Sequence, residues 1–200
     1  MLTEQKSRLE SMAGGTLSIG ISAGGQPRKS IGVPWKHTGN AYNMRTPDLW
    51  LAPEDLRDPT VEEKLKASSV IGCYSFVPLG DYSFLSKFPA LQDLRLRGNK
   101  ARMDLSFLES LKDWFLLYIE DAQLEDLSPA FPENWRDKGL HSYCVGFVGC
   151  DVTSLEPMVR DEIYLSELLV CQPEGTGDKS RWKAVRAGTY RYFEYKEGKE

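Results

Sequence analysis

Four residues able to ligate a soft metal fall close together in the chain: His141, Cys144, Cys150 and Cys171. Imidazole nitrogen and thiolate sulfur are the donors of structural zinc, and four of them would close a tetrahedron. The spacing argues against it, because no Cys-x-x-Cys pair is present to hold two ligands at one end of such a site. With Cys73, the cysteines read better as reduced thiols in an apolar interior. The stretch GISAGGQPRKS suggests a backbone cradle for phosphate. A phosphate loop of that kind sets glycine directly before its lysine, whereas Arg28 stands before Lys29. A flexible loop is the expectation there. His37 and His141 are the only histidines, and neither belongs to a G-x-S-x-G or H-E-x-x-H arrangement. The reading is therefore not an enzyme, with no metal and no cofactor. A hydrolase site near His37, in the first sixty residues, stays open as an alternative.

The tail holds another chemistry-bearing set. Trp182, Tyr190, Tyr192, Phe193 and Tyr195 are interleaved with Lys183, Arg186 and Arg191. Rings between cations are how single-stranded nucleic acid is held by stacking. The whole chain has a formal net charge of −4, which gives no general attraction for polyanions. A hairpin with one aromatic face laid on the rest of the protein explains the same pattern. Binding of single strands through this hairpin is kept as the second functional reading.

These sets must be positioned by something. The chain has 200 residues, enough for one domain with a sizeable core. Its start, MLTEQKSRLESMAGG, lacks the apolar centre of a secretory signal, and no run is long enough to span a bilayer. A cytoplasmic location is expected. Residues 3–12 suit a short helix ended by Gly14 and Gly15, and TLSIGIS alternates like a strand. Trp50, Leu51 and Leu56 look like anchors onto another element. Thr60 followed by Glu63 has the spacing of a capping box, and Val61 and Leu65 share one face of the helix it would start.

The strongest pattern is a repeat. Asp81, Asp104, Asp126 and Asp151 are each followed two residues later by a hydroxyl, at Ser83, Ser106, Ser128 and Thr153. Phe84 matches Phe107, Leu91 matches Trp114, and Leu94 and Leu96 match Leu117 and Ile119. Each unit is an apolar-x-apolar strand, a turn, the Asp-x-Ser/Thr step and a short return. The aspartates suit turns and helix caps rather than catalysis, with Ser106 and Glu109 forming a second capping box. Further on, Tyr143 and Val145 are the expected core pair of one unit, though a slip of one residue would choose Cys144. A fifth unit runs through Ile163, Leu165, Leu168 and Val170, with Leu168 in the turn slot.

The unit resembles a leucine-rich repeat, L-x-x-L-x-L-x-x-N-x-L, in LQDLRLRGNKA through Leu91, Leu94, Leu96 and Asn99. WFLLYIEDAQL is similar through Trp114, Leu117, Ile119 and Leu124, with Ala122 in the asparagine slot. The ending LEDLSPAF resembles the shorter, 22-residue class of internalin-like and phosphatase-regulator repeats. This resemblance implies an α/β fold: a short solenoid with parallel strands, residues 61–172. An irregular N-terminal cap segment (1–60) and a linker with a C-terminal β-hairpin (173–200) would complete one structural domain. Asn99 would satisfy backbone groups where its strand ends. The resemblance also implies a concave strand face that binds another protein. Its residues would be Val70, Gly72, Tyr74, Asp93, Arg95, Arg97, Leu116, Tyr118 and Glu120. Tyr and Arg are enriched among binding hot spots, and Leu116 is expected to be exposed.

Overall fold

A computed structural model describes residues 15–23, 47–111, 114–133, 135 and 143–196. Period-two alternation decides which side chains of a strand face the core. In Asp93–Arg97 the leucines Leu94 and Leu96 are buried while Asp93, Arg95 and Arg97 point the other way and stay partly accessible. The other strands are β1 (Thr16–Ile21), β2 (Leu49–Leu51), β3 (Ser69–Ser75), β5 (Leu116–Glu120), β7 (Cys144–Val148), β9 (Leu165–Pro173) and β10 (Ala187–Tyr195), Asp93–Arg97 being β4. Of these, β1, β5, β7 and β9 are buried on both faces over most of their length. Two short strands, β6 (Gln123–Leu124) and β8 (Asp151–Val152), pair with each other. The other eight form one sheet in the order β2-β1-β3-β4-β5-β7-β9-β10, and every neighbouring pair is parallel. The fold is α/β, with a large parallel sheet and few helices. Residues 16–21 and 49–51 thus extend the sheet rather than form an irregular cap.

Parallel neighbours need a return path, and from β2 onward a capped turn starts each path of the eight-stranded sheet among the described residues. Asp58, Asp81, Asp104, Asp126 and Asp178 accept the amide of the residue two further on, at 2.7–2.9 Å. Between the last two, Ser154 takes the same role toward the Glu156 amide at 3.1 Å. The six capped turns lead in order to β3, β4, β5, β7, β9 and β10. Behind the caps lie the helix Pro59–Lys66, the 3₁₀ turns Ser83–Lys87, Ser106–Ser110 and Glu156–Met158, and the helix Lys179–Trp182. Their apolar side chains, such as Val61, Leu65, Leu85, Leu108 and Met158, close the core against the inward strand residues.

Several sequence expectations change. The Thr60–Glu63 box is replaced by Asp58 as cap with Pro59 as first helical residue, whose missing N–H is no loss there. The Ser106–Glu109 box is replaced by Asp104, which accepts both the amide and the hydroxyl of Ser106. Asp151 caps nothing: it lies in β8, so the unit before β9 is longer and starts from Ser154. Asn99 is exposed and bonds only the nearby Ala101 amide at 3.1 Å. In β7 the residues level with Leu117 and Ile119 are Val145 and Phe147, two positions beyond the expected pair. In β9 they are Leu168 and Val170, so Leu168 is core rather than turn. Val70 also joins the core, because Ile71 is an extra residue opposite β1 and shifts the alternation. The C-terminal hairpin is absent: Lys179–Trp182 is helical, and Ala187–Tyr195 is a single strand parallel to β9.

Two further contacts tie units together. The Tyr82 hydroxyl donates to the Arg97 carbonyl at 2.8 Å and accepts from the Arg97 amide at 2.9 Å. Arg160 donates to the carbonyl oxygens of Phe131, Pro132 and Pro157. Trp50, Leu51 and Leu56 do anchor: Leu51 is buried, Leu56 packs on the core, and Trp50 lies against Phe76 at 5.1 Å.

The caps carry a measurable pH signature. Hydrogen bonds from the backbone and hydroxyl of Ser106 hold the Asp104 carboxyl below its ordinary value. A depressed carboxylate contributes stability that is complete above its unfolded value, about 3.9, and is lost as pH falls through the lower folded value. Asp104→Ala should cost about 1 kcal/mol at neutral pH, as for other lost caps. Urea unfolding of both proteins at pH 7 and pH 2.5 should find that difference shrinking in acid. A pH-independent difference would remove the capping account.

Candidate functional site: the outer strand face

On the face opposite the core, parallel register lines side chains into rows across the strands. One row runs Tyr74, Arg95, Tyr118, Gly146, Leu169, Arg191. The row beside it, toward the amino ends, runs Gly72, Asp93, Leu116, Cys144, Glu167, Thr189. Toward the carboxyl ends it is Arg97, Glu120, Val148, Cys171, Phe193. The expected residues Tyr74, Asp93, Arg95, Arg97, Leu116, Tyr118 and Glu120 are all brought together here.

The tyrosines and Leu116 do not stand up into solvent. Tyr74 is 2% exposed, and Leu116 and Tyr118 are 4% exposed each. The exposed Leu116 of the sequence reading is thus corrected: it packs with Tyr118 and Leu169, against Cys144 and Phe193. Glycines let rings lie flat. A Cβ at Gly146 would come within 1.9 Å of the Tyr118 ring, and one at Gly20 within 2.7 Å of Trp50. Arg95 sits between the two tyrosines, its guanidinium carbon 5.5 Å from the Tyr74 ring centre and 5.7 Å from that of Tyr118. The Tyr74 hydroxyl donates to Asp93 at 2.8 Å, and the other Asp93 oxygen is 3.6 Å from the Arg95 Nε. The result is a braced tyrosine–arginine–tyrosine stack.

Charges frame the apolar centre. Arg97 lies 3.8 Å from Glu120 and 3.7 Å from Asp121, and Arg191 lies 3.6 Å from Glu167. Burial pushes the Tyr118 phenol up to about 12, so it stays neutral. Burial also raises the Glu120 carboxyl, against the lowering effect of Arg97. Cys144 and Cys171 are raised by burial and remain thiols rather than nucleophilic thiolates. The face offers donors, rings and apolar area, which suit recognition.

The other chemical sets separate. Cys144 and Cys171 lie at opposite ends of the outer face, while Cys150 is turned inward and donates to the Ile119 and Val148 carbonyl oxygens at 3.3 and 3.5 Å. Burial pushes its thiol up to about 12. Among the described residues no cluster of three His, Cys, Asp or Glu is arranged for a metal. His37, His141, Arg28, Lys29 and the proposed helix at 3–12 lie outside the described residues. The aromatic tail is split: Trp182 is buried 5.4 Å from Phe147, Tyr190 and Tyr192 pack on the core, and Arg191 and Phe193 point to the outer face.

Sequence reasoning missed Glu167, Leu169, Arg191 and Phe193 as members of this face. Their signal was the period-two alternation of SELLVC and TYRYFEY, obscured by the hairpin reading. Among the described residues no helix is long and apolar enough to cross a membrane. No family model matches the chain, and no curated protein or solved structure matches it either.

Proposed function

We propose that this chain is a divergent leucine-rich-repeat protein, a short solenoid whose outer strand face recognises another protein. The observation that carries the reading is the braced Tyr74–Arg95–Tyr118 stack set across three neighbouring parallel strands. Repeat proteins present such strand faces as extended binding surfaces. A guanidinium already held between two rings loses little freedom when a partner docks, so its contacts convert to affinity efficiently. Arg97, Glu120 and Arg191 supply the charged rim that steers approach.

The test is a pull-down from native cell lysate with wild type, Arg95→Ala/Arg97→Ala, and the exposed Arg57→Ala as control. Expected is a partner held by wild type and the control and lost by the double variant. Buried tyrosines are left in place, so folding is checked simply by an unchanged melting curve. Subsequent titration with that partner should give a loss of about 30-fold or more, the size of a hot spot. Equal capture by all three proteins removes the outer face from the reading.

A further inference from the structure

The two edges of the large sheet are unlike. β2 closes one of them with three residues, Leu49–Leu51, the short edge strand that guards against stray pairing. β10 ends the other with nine, Ala187–Tyr195, and contains no proline. Its register with β9 runs unbroken from Thr189 to Tyr195, so no bulge blunts the edge there. The Tyr195 carbonyl accepts from the amide of Glu174, just past β9, at 2.9 Å. Backbone groups of a parallel strand alternate in direction, so Tyr190, Tyr192 and Glu194 aim their N–H and C=O groups away from β9. Among the described residues nothing takes those groups up. Tyr190, Tyr192 and Phe193 are partly exposed at the same edge.

A long edge without a blunting device is a template for another strand, and the side chains decide which strand fits. A second β10 can be laid antiparallel on the first, with the two-fold axis through Tyr192. Tyr192 then opposes itself and Tyr190 opposes Glu194. All of these carry outward backbone groups, and each opposed pair exchanges two hydrogen bonds. On the outer face Arg191 comes opposite Phe193 of the other copy, an arginine beside a ring, and symmetry repeats the contact. On the core side Lys179 lies over the Tyr192 ring, 5.5 Å from its centre. Glu194 of the other copy is the diagonal neighbour of that ring, so ammonium and carboxylate meet across the axis. Both are exposed, and neither has an ion pair among the described residues of its own chain. Neighbouring registers fit worse. Centring on Arg191 opposes two arginines, and centring on Phe193 carries the pairing past the end of the strand at Tyr195. We propose that β10 is a dimerisation edge, on which a second copy of this chain pairs antiparallel about Tyr192 and joins the two sheets. The Tyr74–Arg95–Tyr118 stack lies on other strands, so the two assignments stand or fall separately.

The experiment is analytical ultracentrifugation of the full chain through a dilution series from about 100 µM, well above a micromolar dissociation constant. At the top of the series the mass should be twice 22.6 kDa. Glu194→Pro removes an amide that faces away from β9, at an exposed position, so the β9 ladder is untouched. It should raise the dissociation constant by at least about 30-fold, since symmetry deletes two backbone bonds. Amide hydrogen exchange on the unaltered chain reads the same edge without a substitution. The Tyr190 and Tyr192 amides should exchange slowly in the dimer, although no strand of their own chain covers them. A chain that is monomeric at about 100 µM leaves the edge open to other partners and overturns the proposal. So does a Glu194→Pro variant that dimerises as tightly as wild type, or a dimer in which those two amides exchange as fast as exposed ones.

Discussion

Alanine at position 114 is expected to cost about 3–5 kcal/mol, the range for emptying a buried tryptophan site. Trp114 is 2% exposed and meets Tyr143 edge-on at 4.7 Å, with Trp135 at 6.2 Å and Phe131 at 6.3 Å. Trp135 and Tyr143 are themselves 4.2 Å apart, so three rings depend on the fourth. The void cannot close easily. The Phe131 carbonyl is held by Arg160, and Tyr143 leads directly into β7, which is paired on both sides. Against a typical domain stability of about 5–15 kcal/mol the loss is severe. Urea unfolding at 25 °C should place the variant midpoint far below wild type, with Trp114→Phe falling between. A loss under about 1 kcal/mol would mean the site collapses freely, contrary to its anchoring.

Gly146→Ala should destabilise by about 1–3 kcal/mol, the cost of forcing an added methyl into a filled space. The sign is what makes this informative. In an ordinary strand interior alanine is favoured over glycine by about 0.5–1 kcal/mol. Here the new Cβ would lie 1.9 and 2.2 Å from two carbons of the Tyr118 ring. The ring must lift, leaving Arg95, Leu116 and Leu169. In the Tyr118→Ala background the same substitution should become neutral or stabilising, and thermal melts of the four proteins form the cycle that measures it. An additive cycle would mean that the ring does not rest on Gly146.

The parts of the fold that could be read in the sequence were those where local chemistry and strand pattern repeat together. Asp81 and Asp104 are 23 residues apart, each with its serine, its 3₁₀ turn and its two inward leucines or isoleucine, so the strands they feed fell into place. Asp58 begins the same series 23 residues earlier, but Thr60 and Glu63 offered a competing cap. Beyond Asp126 the interval lengthens, and the cap passes to Ser154 because β8 has absorbed Asp151. A fixed-interval reading therefore finds Tyr143 and Val145, both core residues, but not that Val145 and Phe147 are level with Leu117 and Ile119, and it puts Leu168 in a turn slot rather than in the core. At the end of the chain, RAG has the composition of a tight turn. The Asp178 cap instead starts a helical turn that sends Trp182 inward, leaving only one strand. The outer face was found because alternation alone selects it. Its burial could not be foreseen, since that depends on Gly146 lying level with Tyr118 on the neighbouring strand.

The strand order has a mechanical consequence. From β3 onward each strand is added beside its predecessor, so β10, at the edge, can be peeled from β9 without disturbing any other strand. The opposite end is different, because β1 is clamped between β2 and β3, both of which follow it in the chain. Tension on the C-terminus unzips the sheet row by row from one side. Tension on the N-terminus meets a strand held on both edges, and must shear two ladders at once.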